Sequence, residues 1–238
     1  MTTLAIDTSN SGMSLALYKK ETLIGEMYIG NQKNHSVTLM PGIDFLMQSN
    51  NLSPQDLERI VVSEGPGSYT GLRIGVTTAK TLAWTLGIEL MSVSSLAVIA
   101  ATQHNQEGLI VPIINARRQN VYTGAYEWID GSLQQVIPDC HIALSEWLVQ
   151  LKETSKPCFF VGEDLFMFPE IIENDELLHD ETCCNNQLSG RSFILLEQEL
   201  EKVEDIDAFV PKYLKKVEAE EKWMLENGSK EQVYVERV

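Results

Sequence analysis

A glycine-rich turn between a predicted strand and a predicted helix is the feature that most constrains this chain. Residues 65–67 read Gly-Pro-Gly; a β-branched run at 59–62 precedes them, and apolar residues at helical spacing follow. Such a turn favours an anion, because the first backbone N–H groups of a helix are unpaired and its dipole is positive there. However, Leu72 stands where a phosphate-binding loop needs lysine, and the third glycine lies one residue late for a dinucleotide fingerprint. A tight turn ahead of a packed helix is the simpler interpretation.

The predicted helix carries a ridge of small residues. Gly71, Gly75, Ala79 and Ala83 lie four residues apart and therefore share one side of the helix. Each glycine costs about 1 kcal/mol of helix propensity relative to alanine, so we expect close packing against this ridge to offset the cost. The pattern leaves open whether the packed partner is the chain's own core or another subunit.

The charge of the chain limits its partners. Its 238 residues carry a formal net charge of −16, whereas nucleic-acid-binding proteins present basic patches to the phosphates. The nearest approach to such a patch is Arg117 and Arg118, with Lys212, Lys215 and Lys216 further on. We therefore expect no tight binding of RNA or DNA by this chain alone.

The sequence gives no sign of a membrane segment, a disulfide framework or a metal site. Its apolar runs are too short to span a bilayer and its N-terminus lacks a basic leader region, so we expect a cytoplasmic protein with no membrane contact. The four cysteines have no metal-binding spacing and are expected to be free thiols. The four histidines are scattered along the chain and predict no metal site.

The order of predicted elements indicates an internal duplication. Each half opens with a strand, a polar turn and a hairpin return, followed by a third strand and then by alternating helices and strands. We expect an α/β fold with domains at residues 1–103 and 104–228 and a tail at 229–238. Residues 173–189 read as a loop, Ser36 and Ser145 as caps of two helices, and residues 192–203 as a further helix.

Asp7 is the best single candidate for chemistry, because carboxylates at the ends of buried strands commonly hold metals or act as bases. Its alternative role is turn chemistry, since Asp7, Thr8 and Ser9 can all hydrogen-bond the hairpin backbone. An ATPase built from two such halves needs a second phosphate-binding turn at residues 115–120, which contain no glycine and two arginines. The sequence therefore offers half of such a site.

Several stretches, in order along nearly the whole chain, resemble the TsaB (YeaZ) family, which belongs to the bacterial tRNA threonylcarbamoyladenosine machinery. They are residues 4–9, 35–36, 65–80, 93–96, 116–118, 121–122 and 210–214, of which the run from Gly65 to Gly75 is the most specific. The resemblance implies two tandem ribonuclease-H-like domains of the actin/Hsp70-like (ASKHA) superfamily. Many relatives have an aspartate where this chain has Asn115, which weakens the case for chemistry at the second turn.

The resemblance also implies a non-catalytic role. Family members pair with a TsaD-like transferase, which carries the metal and modifies adenosine in tRNAs reading codons that begin with A, and a TsaE-like ATPase joins the pair. We accordingly expect no catalytic residue, metal or cofactor in this chain alone, ATP and a metal in the partner subunits, and tRNA contact only through the complex. TsaD-like proteins carry metal-binding histidines on a helix, whereas the first helix here offers only His35 at its edge. In the absence of the transferase, a homodimer is expected.

In the family, the first two helices of the N-terminal domain form the contact with the transferase. Carried over to this chain, the interface residues are Leu39, Met40, Ile43, Leu46 and Met47 on the first helix and Leu72, Gly75, Val76, Ala79, Ala83 and Leu86 on the second. The flexible apolar side chains of Met40 and Met47 suit a face that meets more than one partner. We expect enlargement of Gly75 or Ala79 to abolish pairing and to leave the fold intact.

Three other readings stay open. One is an ATP-dependent enzyme of the same superfamily that uses Asp7 and the Gly65 turn. Another is a peptidase, after the name glycoprotease once given to relatives, although the sequence has no nucleophile–base pair or metal motif. In the third, a nucleotide held between this chain and its partner contacts Ser9, Ser68, Tyr69 or Arg73.

Overall fold

The computed structural model describes residues 1–30, 34–104, 106–173, 178–179 and 189–215, and within them the chain forms two mixed β-sheets. The strands of the first sheet are β1 Thr2–Asp7, β2 Met13–Lys19, β3 Thr22–Ile29, β4 Arg59–Gly65, β5 Glu89–Ser94 and β11 Glu201–Lys202, in the order β11-β5-β4-β1-β2-β3. Those of the second are β6 Leu109–Asn115, β7 Asn120–Ile129, β8 Ser132–Ala143, β9 Cys158–Val161 and β10 Leu178–His179, in the order β10-β9-β6-β7-β8. The helices are α1 His35–Ser49, α2 Tyr69–Leu86, α3 Ser95–Ala100, α4 Leu144–Glu153, α5 Pro169–Ile172 and α6 Arg191–Leu195.

Strand direction brings the candidate turns to one edge of each sheet. β1 is antiparallel to β2 through a short turn and parallel to β4, with Ile6 opposite Val62. The carboxyl ends of β1 and β4, which carry Asp7 and Gly65, therefore lie side by side. In the second sheet β6 is likewise antiparallel to β7 and parallel to β9. The hairpin predicted from the sequence at the start of each half is thus confirmed.

The buried core is arranged in layers around helix α3. All six residues of α3 are buried, and they cluster with Ala5 and Val61 of the first sheet and with Ile110 and Val161 of the second. α1 and α2 cover the other face of the first sheet. α4 and α5 pack on the remaining face of the second sheet, where Trp147 is fully buried. Because α3 contacts both sheets, the apolar surface between the halves is continuous.

The end of the described chain returns to the first half. The helix predicted over 192–203 is wrong beyond Leu195, since Glu201 and Lys202 pair with β5 and the Val203 N–H donates to the Leu90 carbonyl at 3.0 Å. Phe209 then packs on the α1–α2 core. This pairing joins residues far apart in sequence, so local periodicity could not indicate it. The predicted domain boundary at residue 103 stays a prediction.

Two helix starts differ from the sequence prediction. α1 begins at His35, with Ser36 inside the helix, and α4 begins at Leu144, with Ser145 inside it. By contrast, Ser68 and Ser94 do cap α2 and α3 through their side chains. Most of the predicted loop at 173–189, and the whole tail at 229–238, lie outside the described residues.

Candidate functional site

Asp7, the candidate for chemistry, is fully buried at the end of β1. Its Oδ1 accepts hydrogen bonds from the backbone N–H and the hydroxyl of Ser9, both at 2.8 Å, and its Oδ2 accepts one from the Ser63 hydroxyl at 2.5 Å. Burial raises the pKa of Asp7, although the hydrogen bonds from Ser63 and Ser9 act in the opposite direction. Oδ1 thus holds the chain's own turn, as the turn-chemistry interpretation predicts, and Oδ2 joins that turn to Ser63 of β4.

Helix α2 approaches this turn so closely that only glycine fits. A Cβ atom on Gly71 would lie 2.1 Å from the Thr8 carbonyl oxygen, and one on Gly75 would lie 2.2 Å from Thr8 Oγ1. The Thr8 hydroxyl also donates to the Gly71 carbonyl at 2.8 Å. The partner of the small-residue ridge, left open by the sequence, is therefore the chain's own β1–β2 turn, and Ala79 and Ala83 continue the ridge into the core with no exposed surface.

This packing places most of the predicted interface residues in the core and not on the surface. Nine of the eleven are buried within the chain: Leu39, Ile43, Leu46, Met47, Leu72, Gly75, Val76, Ala79 and Ala83. Only Met40, at 49% exposure, and the partly buried Leu86 reach the surface. The expectation that Gly75 can be enlarged without harm to the fold is wrong, because a larger side chain would collide with Thr8.

The surface that α1 and α2 do present is apolar at other positions. Val37 is 65% exposed and Phe45 63% exposed on α1, with Met40 between them, and Trp84 is 70% exposed on α2. Met40 is three residues from Val37 and Phe45 is eight residues from it, so the three side chains project from one broad sector of α1 with Val37 in the middle. Large apolar side chains grouped on an outer surface are typical of contact sites. We call these four residues the helical face.

A cavity of about 640 Å³ opens where the turns of the two halves meet. From the first half it is lined by Asn10, Gly67, Ser68, Tyr69 and Thr70, and from the second by Ile114, Asn115, Ala116, Arg117, Arg118, Tyr122 and Asp164, with Lys215 from the returning chain. The start of α2 forms one wall, because Ser68, Tyr69 and Thr70 line the cavity. Ser68 caps the helix there, since its Oγ accepts from the Gly71 N–H at 3.3 Å. We call this space the cleft.

The opposite wall of the cleft is an unusual turn. Arg117, Arg118 and Gln119 have φ of 66°, 53° and 58°, left-handed values that non-glycine residues seldom adopt. Asn115 and Asn120 hold this shape: Asn115 Oδ1 accepts from the Arg117 N–H at 2.8 Å, and Asn120 Nδ2 donates to the Arg118 carbonyl at 3.0 Å. The turn therefore presents two arginines in a fixed backbone conformation.

Acidic side chains near the cleft are committed to structural hydrogen bonds. Asp164 Oδ2 accepts from the Asn115 N–H at 2.8 Å, and burial raises the pKa of this carboxyl. Glu163 joins the two halves, since its carboxylate accepts from the hydroxyl of Tyr28 and, at 3.2 Å, from that of Ser11. Burial also raises the pKa of Glu163. Asp164 thereby holds the turn after β6, and Glu163 links the two halves.

The residues predicted to contact a nucleotide are only partly brought together. Ser68 and Tyr69 line the cleft, whereas Ser9 is buried against Asp7. Arg73 lies one turn further along α2, with its guanidinium 5.3 Å from the centre of the Tyr69 ring and Nη1 donating to the Tyr69 hydroxyl. The Tyr69 ring also stacks on the Tyr213 ring, with the two ring centres 4.9 Å apart.

Sequence reasoning missed other residues of the cleft. Asn10 and Asp164 stand in no motif, Tyr122 belongs to a family-matching stretch with no site role attached, and Lys215 stands out only by its charge. Arg117 and Arg118 lie in the turn at residues 115–120, which the sequence predicts to be unsuited to phosphate binding because it contains no glycine. Signals that could have drawn attention were the flanking Asn115 and Asn120, because asparagine commonly stabilises tight turns.

Within the described ranges the structure has neither a metal-binding group of side chains nor a membrane-spanning helix. There, His, Cys, Asp and Glu side chains form no group of three or more that could hold a metal ion. His35 is buried, and its Nε2 donates to the Asn10 carbonyl at 3.0 Å. No helix in this part of the chain is both long enough and apolar enough to cross a membrane.

Known proteins match this chain over nearly its whole length. Residues 29–223 match the family model described as TsaD: tRNA N6-adenosine threonylcarbamoyltransferase. The tRNA threonylcarbamoyladenosine biosynthesis protein TsaB of Bacillus subtilis (strain 168) is 44% identical over 228 residues, covering 94% of this chain and 98% of that protein. TsaB of Escherichia coli (strain K12) is 30% identical over 129 residues, 53% of this chain and 55% of that protein.

Two solved structures share the fold. YeaZ from Pseudomonas aeruginosa superposes with a TM-score of 0.71 at 21% identity, and a Pseudomonas aeruginosa protein described as similar to peptidase YEAZ does so with 0.75 at 23%. Each comparison covers 90% of this chain and 99% of the other. At these identities the likeness concerns the fold alone, and it confirms the predicted α/β class.

Proposed function

Since this chain belongs to the TsaB (YeaZ) family of tRNA threonylcarbamoyladenosine biosynthesis proteins, within the wider family of the TsaD model, we propose that it is a non-catalytic subunit. In this proposal it pairs with a TsaD-like transferase that modifies adenosine in tRNAs reading codons that begin with A. The observation that carries the proposal is the helical face, Val37, Met40, Phe45 and Trp84, which offers large apolar side chains to a partner.

The environment of Asp7 supports the absence of catalysis by this chain alone. A general base or a metal ligand needs a carboxylate oxygen that can reach substrate or metal. Both oxygens of Asp7 instead accept hydrogen bonds from Ser9 and Ser63, and the side chain has no exposed surface. The ATP-dependent enzyme therefore remains the alternative and not the proposal.

The other parts of the proposal follow the family. A TsaE-like ATPase joins the pair, ATP and a metal act in the partner subunits, and tRNA is reached only through the complex. Without the transferase, two copies of this chain pair through the same helical face. The net charge of −16 supports indirect contact with tRNA, because the summed field of the chain repels phosphates. The compartment is the cytoplasm.

Association with a purified TsaD-like transferase, measured by light scattering, tests this proposal. We expect Phe45→Asp to weaken association by about tenfold or more, because a charge buried in an apolar contact costs more than the contact gains. Phe166→Asp is the matched control, since Phe166 is 70% exposed but lies outside the helical face. If both variants associate equally well with the transferase, the interface does not include Phe45 of α1.

A parallel assay separates the proposal from the enzyme alternative. ATP turnover is measured for the chain alone and for Asp7→Ala. We expect no turnover by either protein. Turnover by the chain that is lost in Asp7→Ala, together with no complex, would establish the enzyme alternative and overturn the proposal.

A further inference from the structure

Two large apolar side chains are exposed next to each other on the second half of the molecule. They belong to the 3-10 segment Glu163–Met167 that follows β9. Phe166 is 70% exposed and Met167 46% exposed, whereas Leu165 and Phe168 on either side of them are buried in the core of the second sheet. Adjacent exposed apolar side chains are a common feature of contact sites. We call Phe166 and Met167 the lateral patch.

The lateral patch lies beside the turn after β6, on the side of the molecule where the described chain ends. Met167 Sδ accepts a hydrogen bond from Asn115 Nδ2 at 2.9 Å, so the patch contacts the start of that turn. Asn115 also lines the cleft, and so does Lys215, the last residue that the structure describes. The turn that carries Arg117 and Arg118 therefore lies between the end of the described chain and the patch.

The sequence that follows Lys215 matches this surface in the same order. Residues 218–221 read Glu-Ala-Glu-Glu, and residues 223–225 read Trp-Met-Leu. Acidic side chains thus come first along the chain and large apolar ones second, as the arginines come before the lateral patch along the surface. We call residues 218–225 the Glu–Trp segment.

Length and charge both permit the match. The eight residues from Lys215 to Trp223 span about 12 Å as a helix and about 26 Å as an extended chain. The longer span approaches the diameter of a small domain, so the lateral patch lies within reach. Over the described ranges, Arg117 forms no ion pair with a carboxylate. Its exposed guanidinium can therefore donate charge-assisted hydrogen bonds to a glutamate.

From these features we infer that the Glu–Trp segment docks on the second half of its own chain. Its glutamates pair with Arg117 and Arg118, and Trp223 packs on the lateral patch. A tethered segment needs little intrinsic affinity, because the tether keeps it at a high effective concentration. Exposed ion pairs contribute little each, so the apolar contact supplies most of the docking and the charges set its direction. The inference does not depend on pairing with a transferase, which the helical face of α1 and α2 serves.

Hydrogen–deuterium exchange of the full chain, followed by mass spectrometry over the Glu–Trp segment, tests the inference. We expect its amides to exchange about tenfold or more slowly than those of a synthetic peptide of the same sequence, because docking limits their opening. Phe166→Asp should speed this exchange by about fivefold or more, since a carboxylate on the patch removes the apolar contact and repels the glutamates. Trp223→Ala should act in the same direction. Arg117→Asn should have a smaller effect of about twofold, as for an exposed ion pair.

Each variant has a matched control. Phe45→Asp makes the same change as Phe166→Asp at a phenylalanine that is 63% exposed on α1. Lys20→Asn matches Arg117→Asn, because both remove a cation from a left-handed backbone position, with φ of 58° and 66°, which asparagine tolerates. Both controls should leave exchange in the Glu–Trp segment unchanged. Exchange of the β6 amides verifies that every variant is folded, and Phe166→Asp should still associate with the transferase.

Any of three results overturns the inference. The first is exchange at the rate of the free peptide in the unchanged chain. The second is slow exchange that neither Phe166→Asp nor Trp223→Ala speeds, which would mean that the segment is ordered without the lateral patch. The third is protection that increases with protein concentration, which would place the segment on a second copy of the chain instead of on its own.

Discussion

The two halves of the molecule share a strand plan but use the equivalent turn in opposite ways. The order β5-β4-β1-β2-β3 is repeated as β10-β9-β6-β7-β8. In the first half the turn after β1 is packed against a helix and satisfied internally, with Thr8 against Gly71 and Gly75. In the second half the turn after β6 carries Arg117 and Arg118 towards an open cavity.

The helix that follows the fourth strand of each half explains the difference. After β4 the chain forms α2, an 18-residue helix that presses on the first turn. After β9 it forms only a 3-10 segment at Glu163–Met167 and the four-residue helix α5. Without a long helix against it, the second turn is free to carry charge. A duplicated backbone can therefore pack a turn against a helix in one half and present charge to an open cavity in the other.

The substitution with the largest expected effect on stability lies where α2 packs against the first turn, and it tests whether that turn is committed to packing. Gly71→Ala should destabilise the protein by about 3 kcal/mol, because the new Cβ would collide with the Thr8 carbonyl. Helix propensity alone predicts the opposite sign, since alanine is favoured by about 1 kcal/mol. Denaturant unfolding measures the change. Gly87→Asn, at the other end of α2, is the control: a Cβ there meets nothing within 4 Å, and asparagine accepts the left-handed cap.

A pair of substitutions at equivalent turns should give intermediate effects. Ser9→Ala removes a buried hydrogen bond to a carboxylate and should cost about 2 kcal/mol. Asn120→Ala removes hydrogen bonds to the Arg117 and Arg118 carbonyls at an exposed site and should cost about 1 kcal/mol. Chemical denaturation of both variants under one set of conditions gives the difference. If Asn120→Ala costs as much as Ser9→Ala, the second turn is as internally committed as the first.

The smallest expected effect is a dependence of protein stability on pH that arises from the Asp164 carboxyl. Because burial raises the folded-state pKa above the ordinary value of 3.8, the carboxyl favours folding below that pH and loses this contribution as pH rises through the folded-state pKa. Asp164→Asn should therefore be relatively more stable at neutral than at acid pH. Thermal unfolding of both proteins from pH 3 to 7 measures the difference. A gap that stays constant with pH would show that folding does not shift the pKa of Asp164.

Much of the fold could be predicted from local pattern. Strand and hairpin alternation predicted the strands β1 to β9 but neither β10 nor β11, and the Gly-Pro-Gly turn marked the start of α2. What local pattern could not supply was the identity of contacts between distant segments. The ridge from Gly71 to Ala83 was recognised, but its partner, Thr8, lies 63 residues from Gly71.

The candidate site was less predictable than the fold for the same reason. Asn10, Arg117, Asp164 and Lys215 come from four separate parts of the chain, and only the meeting of the two sheets brings them to one cavity. The interface prediction chose the most apolar residues of α1 and α2. Nine of those eleven residues are buried in the core, and the large exposed apolar side chains of the two helices include Val37, Phe45 and Trp84. Apolar character alone does not distinguish a core position from a contact position.

The return of the chain at β11 has a consequence for synthesis on the ribosome. Glu201 pairs with Ser92, so the edge of the first sheet at β5 stays open until the last part of the described chain has emerged. During that interval the nascent first half exposes unpaired backbone groups and the apolar surface that Phe209 later covers. The order of translation thus makes the first half the last to be completed, although it is the first to be made.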